Sequence, residues 1–241
     1  MKVSIVIPAF NEAGLIGGTL RSVKAAAAAL SRRGWETELI VCDNNSTDAT
    51  AEITRDAGAT VVFEPVNQIA RARNTGAAAA SGDWLIFVDA DSQPTAELFE
   101  EVAGQIAGGQ CLAGGCTVKL ESGHPIASLI TGVWNSISRT CRYMAGSFVF
   151  CDAAAFRRVG GFPEELYAGE EIELSKRLKK LACETGRQIV ILRRNPLLTS
   201  ARKMRLYTRG ELARFLFRTI LARGKNLNSR EACHTWYDGR R

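Results

Sequence analysis

A chain of 241 residues with 46% hydrophobic and 23% charged side chains is the size and composition of one large globular core, which excludes disordered, collagen-like and small disulfide-scaffold chains. Seven cysteines at irregular spacings, with no C-x-x-C and only two histidines, argue against a structural zinc site and a secreted disulfide framework, and fit a reducing cytosol. The net charge of +6 is uneven: residues 193–241 carry 13 Lys and Arg against Glu211, Glu231 and Asp238, giving +10, while residues 1–192 come to −4.

The first apolar run, 3–7, is cut by Pro8; it is too short for the core of a signal peptide, so nothing directs export. It opens a series in which strand-like and helix-like segments alternate, the sign of an α/β, mostly parallel sheet flanked by helices. Runs rich in Val, Ile, Leu and Phe at 2–9, 38–43, 60–64 and 84–89 predict buried strands. Segments at 12–33, 47–57, 68–80 and 95–107 predict helices, with Ser46 as an N-cap of the second and Gly34 and Gly58 as C-terminal caps. A strand from Cys111 to Leu120 follows. Ile126, Leu129, Ile130, Val133, Trp134 and Ile137 then recur at helical spacing, a stripe expected to face a core. A strand at 147–151, a helix at 170–181 and a short strand at 188–192 complete the series. The uncharged stretches 102–118 and 122–138 are interrupted by Gly, Gln, His, Pro, Asn and Ser, so neither is expected to span a membrane.

In such sheets ligands bind at the carboxyl ends of the strands, and the polar residues collect there. Pro8-Ala9-Phe10-Asn11-Glu12 follows the first strand, Asp43-Asn44-Asn45-Ser46-Thr47-Asp48 the second and Asp89-Ala90-Asp91 the fourth. The first group suits the wall of a base-binding pocket, with Asp43 accepting from a donor edge of the base; residues 43–48 equally suit turns and helix caps. Two carboxylates at the mouth of a sheet are costly to bury without a cation. Oxygen ligands without a His or Cys cluster favour Mg²⁺ or Mn²⁺ over zinc.

Together these segments resemble the family 2 inverting glycosyltransferases of GT-A (Rossmann-like) fold. The resemblance rests on residues 6–12, 43–48 and 89–91 together with Ala72-Arg73-Asn74-Thr75-Gly76, Gly160-Gly161-Phe162 and Gly169-Glu170-Glu171, in order along the chain. It implies a metal-dependent transfer of a sugar from a UDP- or GDP-type donor to a hydroxyl acceptor, lipid-linked or saccharide. Pro8, Phe10, Asn11, Glu12 and Asp43 would line the nucleoside pocket, with Arg71, Arg73, Asp89 and Ala90 near the nucleotide. Asp91 would be the direct metal ligand, with Asp89 near the ribose or a bound water. Family members commonly carry Glu-Asp where this chain has Glu170-Glu171; Glu171 is the candidate general base, on a stem one methylene longer. The resemblance divides the chain into a catalytic domain, 1–192, with a nucleotide-sugar half at 1–110 and an acceptor half at 111–192. A basic helical extension, 193–241, would pack on it.

Ser200, Arg202 and Lys203, just ahead of that extension, offer a hydroxyl and two cations for a diphosphate leaving group. In the extension, Leu212, Phe215, Leu216, Ile220 and Leu221 form an apolar stripe among arginines. It fits packing on the domain, a second subunit in a homodimer, or peripheral attachment at the inner face of an anionic membrane. No nucleic-acid module accompanies the basic residues, so nucleic acid is not an expected partner. Two other functions share the features: a nucleotidyltransferase releasing pyrophosphate, and a non-catalytic nucleotide-sugar binding protein.

Overall fold

The computed structural model describes residues 1–121, 125–202, 225–231 and 233, with side chains at 125–127 and 225–226 excepted. Its first half alternates as the patterning predicts: β1 (Lys2–Ala9), α1 (Ile16–Ser31), β2 (Glu36–Asp43), α2 (Thr50–Asp56), β3 (Thr60–Phe63), α3 (Ile69–Ala78) and β4 (Trp84–Val88). There follow β5 (Ser92–Gln93), α4 (Ala96–Ala107), β6 (Cys111–Leu120), α5 (Pro125–Cys141), β7 (Phe148–Asp152), α6 (Ala153–Arg158), α7 (Glu170–Thr185) and β8 (Gln188–Thr199). The strands form one mixed sheet in the order β3-β2-β1-β4-β7-β6-β8-β5. Strands β1 to β4 pair in parallel, while β7 runs antiparallel to both β4 and β6.

Helices cover both faces of the sheet, which is why its central strands are apolar without alternation. Ile5 and Ile7 point into one core beneath α1 and α4, with Leu20, Val23, Phe99 and Val102. Val6 points into the other, with Phe87, Phe156, Phe162, Leu174 and Leu178. α3 lies so close to β1 that a Cβ at Gly76 would run into Val6 Cγ1. Gly34 and Gly58 hold φ of 72° and 71° just past α1 and α2, as C-terminal caps require.

Four expectations need correction. The first helix begins at Ile16, because residues 12–15 form a turn in which the Glu12 carbonyl accepts from the N–H of Leu15 and Ile16. Ser46 is not an N-cap: α2 starts at Thr50 after Ala49, with no side-chain cap, and the Ser46 hydroxyl accepts from the Asn11 N–H instead. The apolar stripe of α5 faces outward, with Leu129, Ile130, Val133 and Ile137 exposed. The reason is polar anchoring on the opposite face: the Asn135 amide brackets β6, accepting from Val118 N–H at 3.0 Å and donating to Val118 C=O at 2.9 Å. The sheet also runs through the boundary drawn at residue 192. β8 bulges between its pairings at Leu192 and Leu197, which admits Pro196, and then rejoins β6 and β5 up to Thr199. The apolar stripe of the extension, 212–221, lies outside the described residues. In the described segment 225–231, the Leu227 C=O accepts from Tyr167 N–H at 2.7 Å.

Candidate active site

β1 and β2 end side by side, with Ala9 opposite Asp43. Their loops are sewn together by short polar side chains. Asn11, at φ 52°, accepts from Thr47 N–H at 2.8 Å, and Asp48 accepts from Ala13 N–H at 3.0 Å. Glu12 N–H donates to Thr50 Oγ1 at 2.8 Å. Asp43 is buried and accepts from Ser46 N–H at 3.2 Å. Of the residues expected around a nucleoside, Pro8, Phe10, Asn11 and Asp43 therefore share one sheet edge. The amide of Asn11 is spent on shaping the loops, since its Oδ1 holds Thr47.

Next to this edge lies Glu64, a buried acid that the sequence patterning did not single out. Its Oε1 accepts from Arg71 Nε at 3.1 Å and Val66 N–H at 3.0 Å, and its Oε2 from Thr75 at 2.7 Å. Burial opposes its charge, but bonds from Thr75, Val66 and Arg71 outweigh that and hold the carboxyl below its usual range. Arg71 also reaches Glu164 at 2.9 Å. It thus links the end of β3 to the segment that carries Glu164.

Arg73 differs from the expectation of a nucleotide contact. It projects from the sheet-facing side of α3, only 1% exposed. Its Nη1 donates to Glu170 at 2.6 Å, and its Nη2 to Asp89 at 2.9 Å and to the Gly146 carbonyl at 2.8 Å. The guanidinium lies 5.0 Å over the Phe162 ring. Burial works against its charge, yet Asp89, Glu170 and Glu171 push its pKa upward. One cation therefore joins the Asp89-Ala90-Asp91 turn to the start of α7.

At that helix start, Gly169 holds φ 77°, and Glu170, Glu171 and Glu173 fill the first turn, where the helix dipole favours anions. Glu171 is nonetheless pushed up to about 8, by burial first and by the neighbouring Glu170 charge second, with Arg73 acting against both. Gly146 separates the two: a Cβ there would lie 3.3 Å from Arg73 Nη2 and 3.5 Å from Glu171 Cδ. The loop before β7 is therefore glycine where the cation and the carboxylate converge.

The end of β8 supplies the third cluster. Arg202 forks onto Glu12, with bonds of 2.6 and 2.8 Å. Burial lowers its pKa, but Glu12 and the nearby charge of Asp91 raise it further. Ser200 N–H donates to the Asp91 carbonyl at 3.1 Å, and Ser200 Oγ accepts from Arg202 N–H at 3.1 Å. Lys203 lies outside the described residues. Ala90 is a spacer, buried in the core with its carbonyl held by Thr19 at 2.7 Å.

The donor set fits a hard divalent ion that arrives with phosphates. Asp89 and Asp91 lie half-buried one residue apart, and no cluster of three or more His, Cys, Asp or Glu among the described residues could cage a metal alone. Mg²⁺-type sites are commonly completed by substrate phosphates in this way. Glu64, Asn74 and Gly146 went unassigned in the sequence. Asn74 accepts from Phe162 N–H and donates to Phe162 C=O, both at 2.9 Å. Its place beside Arg73, ahead of Gly160-Gly161-Phe162, was the available signal.

Comparison with known proteins bears on this arrangement. The model of the family described as Glycosyl transferase family 2 matches residues 4–159. Glycosyltransferase AglE of Haloferax volcanii is 30% identical over 192 residues, which cover 73% of this chain and 60% of AglE. The mannosyltransferase PcManGT of Pyrobaculum calidifontis, solved with GDP-Man and Mn²⁺, superposes with a TM-score of 0.67 at 18% identity, over 96% of this chain and 64% of that one. S. aureus TarS 1-349, solved with UDP-GlcNAc, gives 0.65 at 21% identity, over 83% and 58%. The chain spans less than two thirds of the length of each of these proteins. The structural likeness bears out the expected GT-A fold.

Proposed function

This chain belongs to glycosyl transferase family 2, and we propose that it transfers a sugar from a nucleoside-diphosphate sugar to an acceptor hydroxyl with inversion, assisted by Mg²⁺ or Mn²⁺. The observation that carries the reading is the Arg73 bridge. It ties Asp89, in the acidic turn suited to a metal, to Glu170, next to a carboxylate with a raised pKa. Donor binding and proton removal would then share one rigid centre. The complexes of PcManGT with GDP-Man and Mn²⁺ and of TarS with UDP-GlcNAc support a GDP- or UDP-type donor.

Phe10 and Asp43 would hold the nucleoside, with Asp43 accepting from the base. Asp91 and Asp89 would hold the ion, which when bound neutralises charge developing on the diphosphate. Arg202 and Ser200, joined by Lys203, would receive the diphosphate, with the Arg202 fork moving from the Glu12 carboxylate to phosphate oxygens. Glu171 takes the acceptor hydroxyl proton as the oxygen attacks the anomeric carbon. The bond from that carbon to the β-phosphate oxygen breaks, and its electron pair leaves on the nucleoside diphosphate. A base with a pKa near the working pH suits this step.

The test is product analysis with UDP- and GDP-sugars, with and without chelator. Release of nucleoside diphosphate and a β-configured product from an α-linked donor, both lost on chelation, is the expected result. Pyrophosphate release from a nucleoside triphosphate, or donor binding without turnover under any acceptor condition, would overturn it.

A further inference from the structure

Helix α5 presents its apolar side to solvent. Thr131 and Ser138 are buried and Asn135 is locked onto β6, while Leu129, Ile130, Val133 and Ile137 are 68%, 52%, 54% and 43% exposed. At 3.6 residues per turn these four fall within an arc of about 100°, opposite the polar anchors. They make up four of the seven large apolar side chains exposed among the described residues. A single exposed Leu needs no explanation, but a contiguous apolar helix face does.

The charge around this face indicates its occupant. Residues 122–151 contain no Asp or Glu. Arg139 and Arg142 are exposed at the end of the helix, and Lys179 donates to the Cys141 carbonyl at 2.8 Å beside them. An apolar stripe rimmed by cations matches an interfacial helix on anionic lipid. The +10 charge of residues 193–241 has the same sign.

The helix also leads to the chemistry. From Cys141 the chain runs to Gly146, whose carbonyl holds Arg73 and whose missing side chain leaves room for Glu171. We propose that the Leu129, Ile130, Val133 and Ile137 face of α5 seats the protein on an anionic bilayer, with the Glu171 side of the site turned toward acceptors held in that surface. The second part rests on the glycosyl-transfer reading; the seating itself does not.

The experiment is flotation of the full chain with vesicles of phosphatidylcholine alone or mixed with phosphatidylglycerol. The wild type is compared with a Leu129→Ser, Val133→Ser, Ile137→Ser triple variant and with Leu129→Asp alone. Binding is expected only to the mixed vesicles, at least about tenfold weaker in the triple variant and weaker in the single one. Thermal shifts by a nucleotide sugar should be equal in all three. Failure to bind mixed vesicles overturns the proposal. So does binding that salt removes but neither variant alters, which would assign it to tail charge alone. A dimer in light scattering that the triple variant dissolves would assign the face to a second copy and also overturn it. Vesicle binding by a chain that no nucleotide sugar stabilises would uphold the seating and remove the transfer reading.

Discussion

Replacing Arg73 by Met keeps most of the side-chain volume and removes the charge at the centre of the site. The guanidinium is 1% exposed and meets Glu170, 5% exposed, as well as the less buried Asp89 at 24%. Removing one partner of a buried pair costs about 3–5 kcal/mol, because the other charge stays buried without compensation. Arg73 Nε has no hydrogen-bond partner, so the variant also relieves about 1–3 kcal/mol of desolvation. A net loss of about 2 kcal/mol above pH 8 is expected. Arg73 also restrains the upward shift of Glu171, so in the variant that carboxyl should titrate higher still. A folded state that binds more protons than the unfolded chain loses stability as pH rises. The deficit should therefore shrink toward pH 5. Urea unfolding followed by tryptophan fluorescence at both pH values measures it, and adding Glu170→Gln to the variant should restore at least half. A loss below about 1 kcal/mol, equal at both pH values and untouched by Glu170→Gln, would refute the account of Arg73 as the tie between the acidic turn and α7.

In the wild type, turnover should rise with pH through about 8, because Glu171 must be deprotonated to accept a proton. Glu171→Gln should lower kcat by ~10²–10⁴ while leaving the thermal shift by donor intact. The same titration acts on stability with the opposite sense: the Glu171 contribution is complete below about 4.5 and is lost as pH rises through about 8. Glu171→Gln should flatten that dependence in urea unfolding. Arg202→Ala should weaken donor binding ~10- to 100-fold in calorimetry, as loss of a charge-assisted bond worth ~1.5–3 kcal/mol implies; an unchanged affinity would leave Arg202 as the partner of Glu12 alone. Gly76→Ala should lower stability by about 1–3 kcal/mol, because its Cβ meets Val6 Cγ1; equal urea midpoints would mean that α3 can slide on β1.

Much of this protein is local and therefore legible in its residues. β4 is apolar throughout, and β1 from Ile5 to Ala9, because helices cover both faces, and such a run of side chains needs no knowledge of the neighbours. Gly34 and Gly58 mark helix ends through a backbone conformation that glycine tolerates best. The polar strand ends were visible for the same reason, and the fold carries them to one edge. Three features depended on partners far along the chain. Arg73 could have faced solvent or protein, and only its bonds to Asp89 and Glu170, 16 and 97 residues away, turn it inward. Arg202 met Glu12 across 190 residues, a pairing that no spacing rule encodes. α5 has the periodicity of a core helix, yet Asn135 anchors its polar side to β6 and leaves Leu129, Val133 and Ile137 outside. Hydrophobic period shows that a helix has two faces; which one is buried depends on the surface it packs against, and that surface exists only once the sheet has formed.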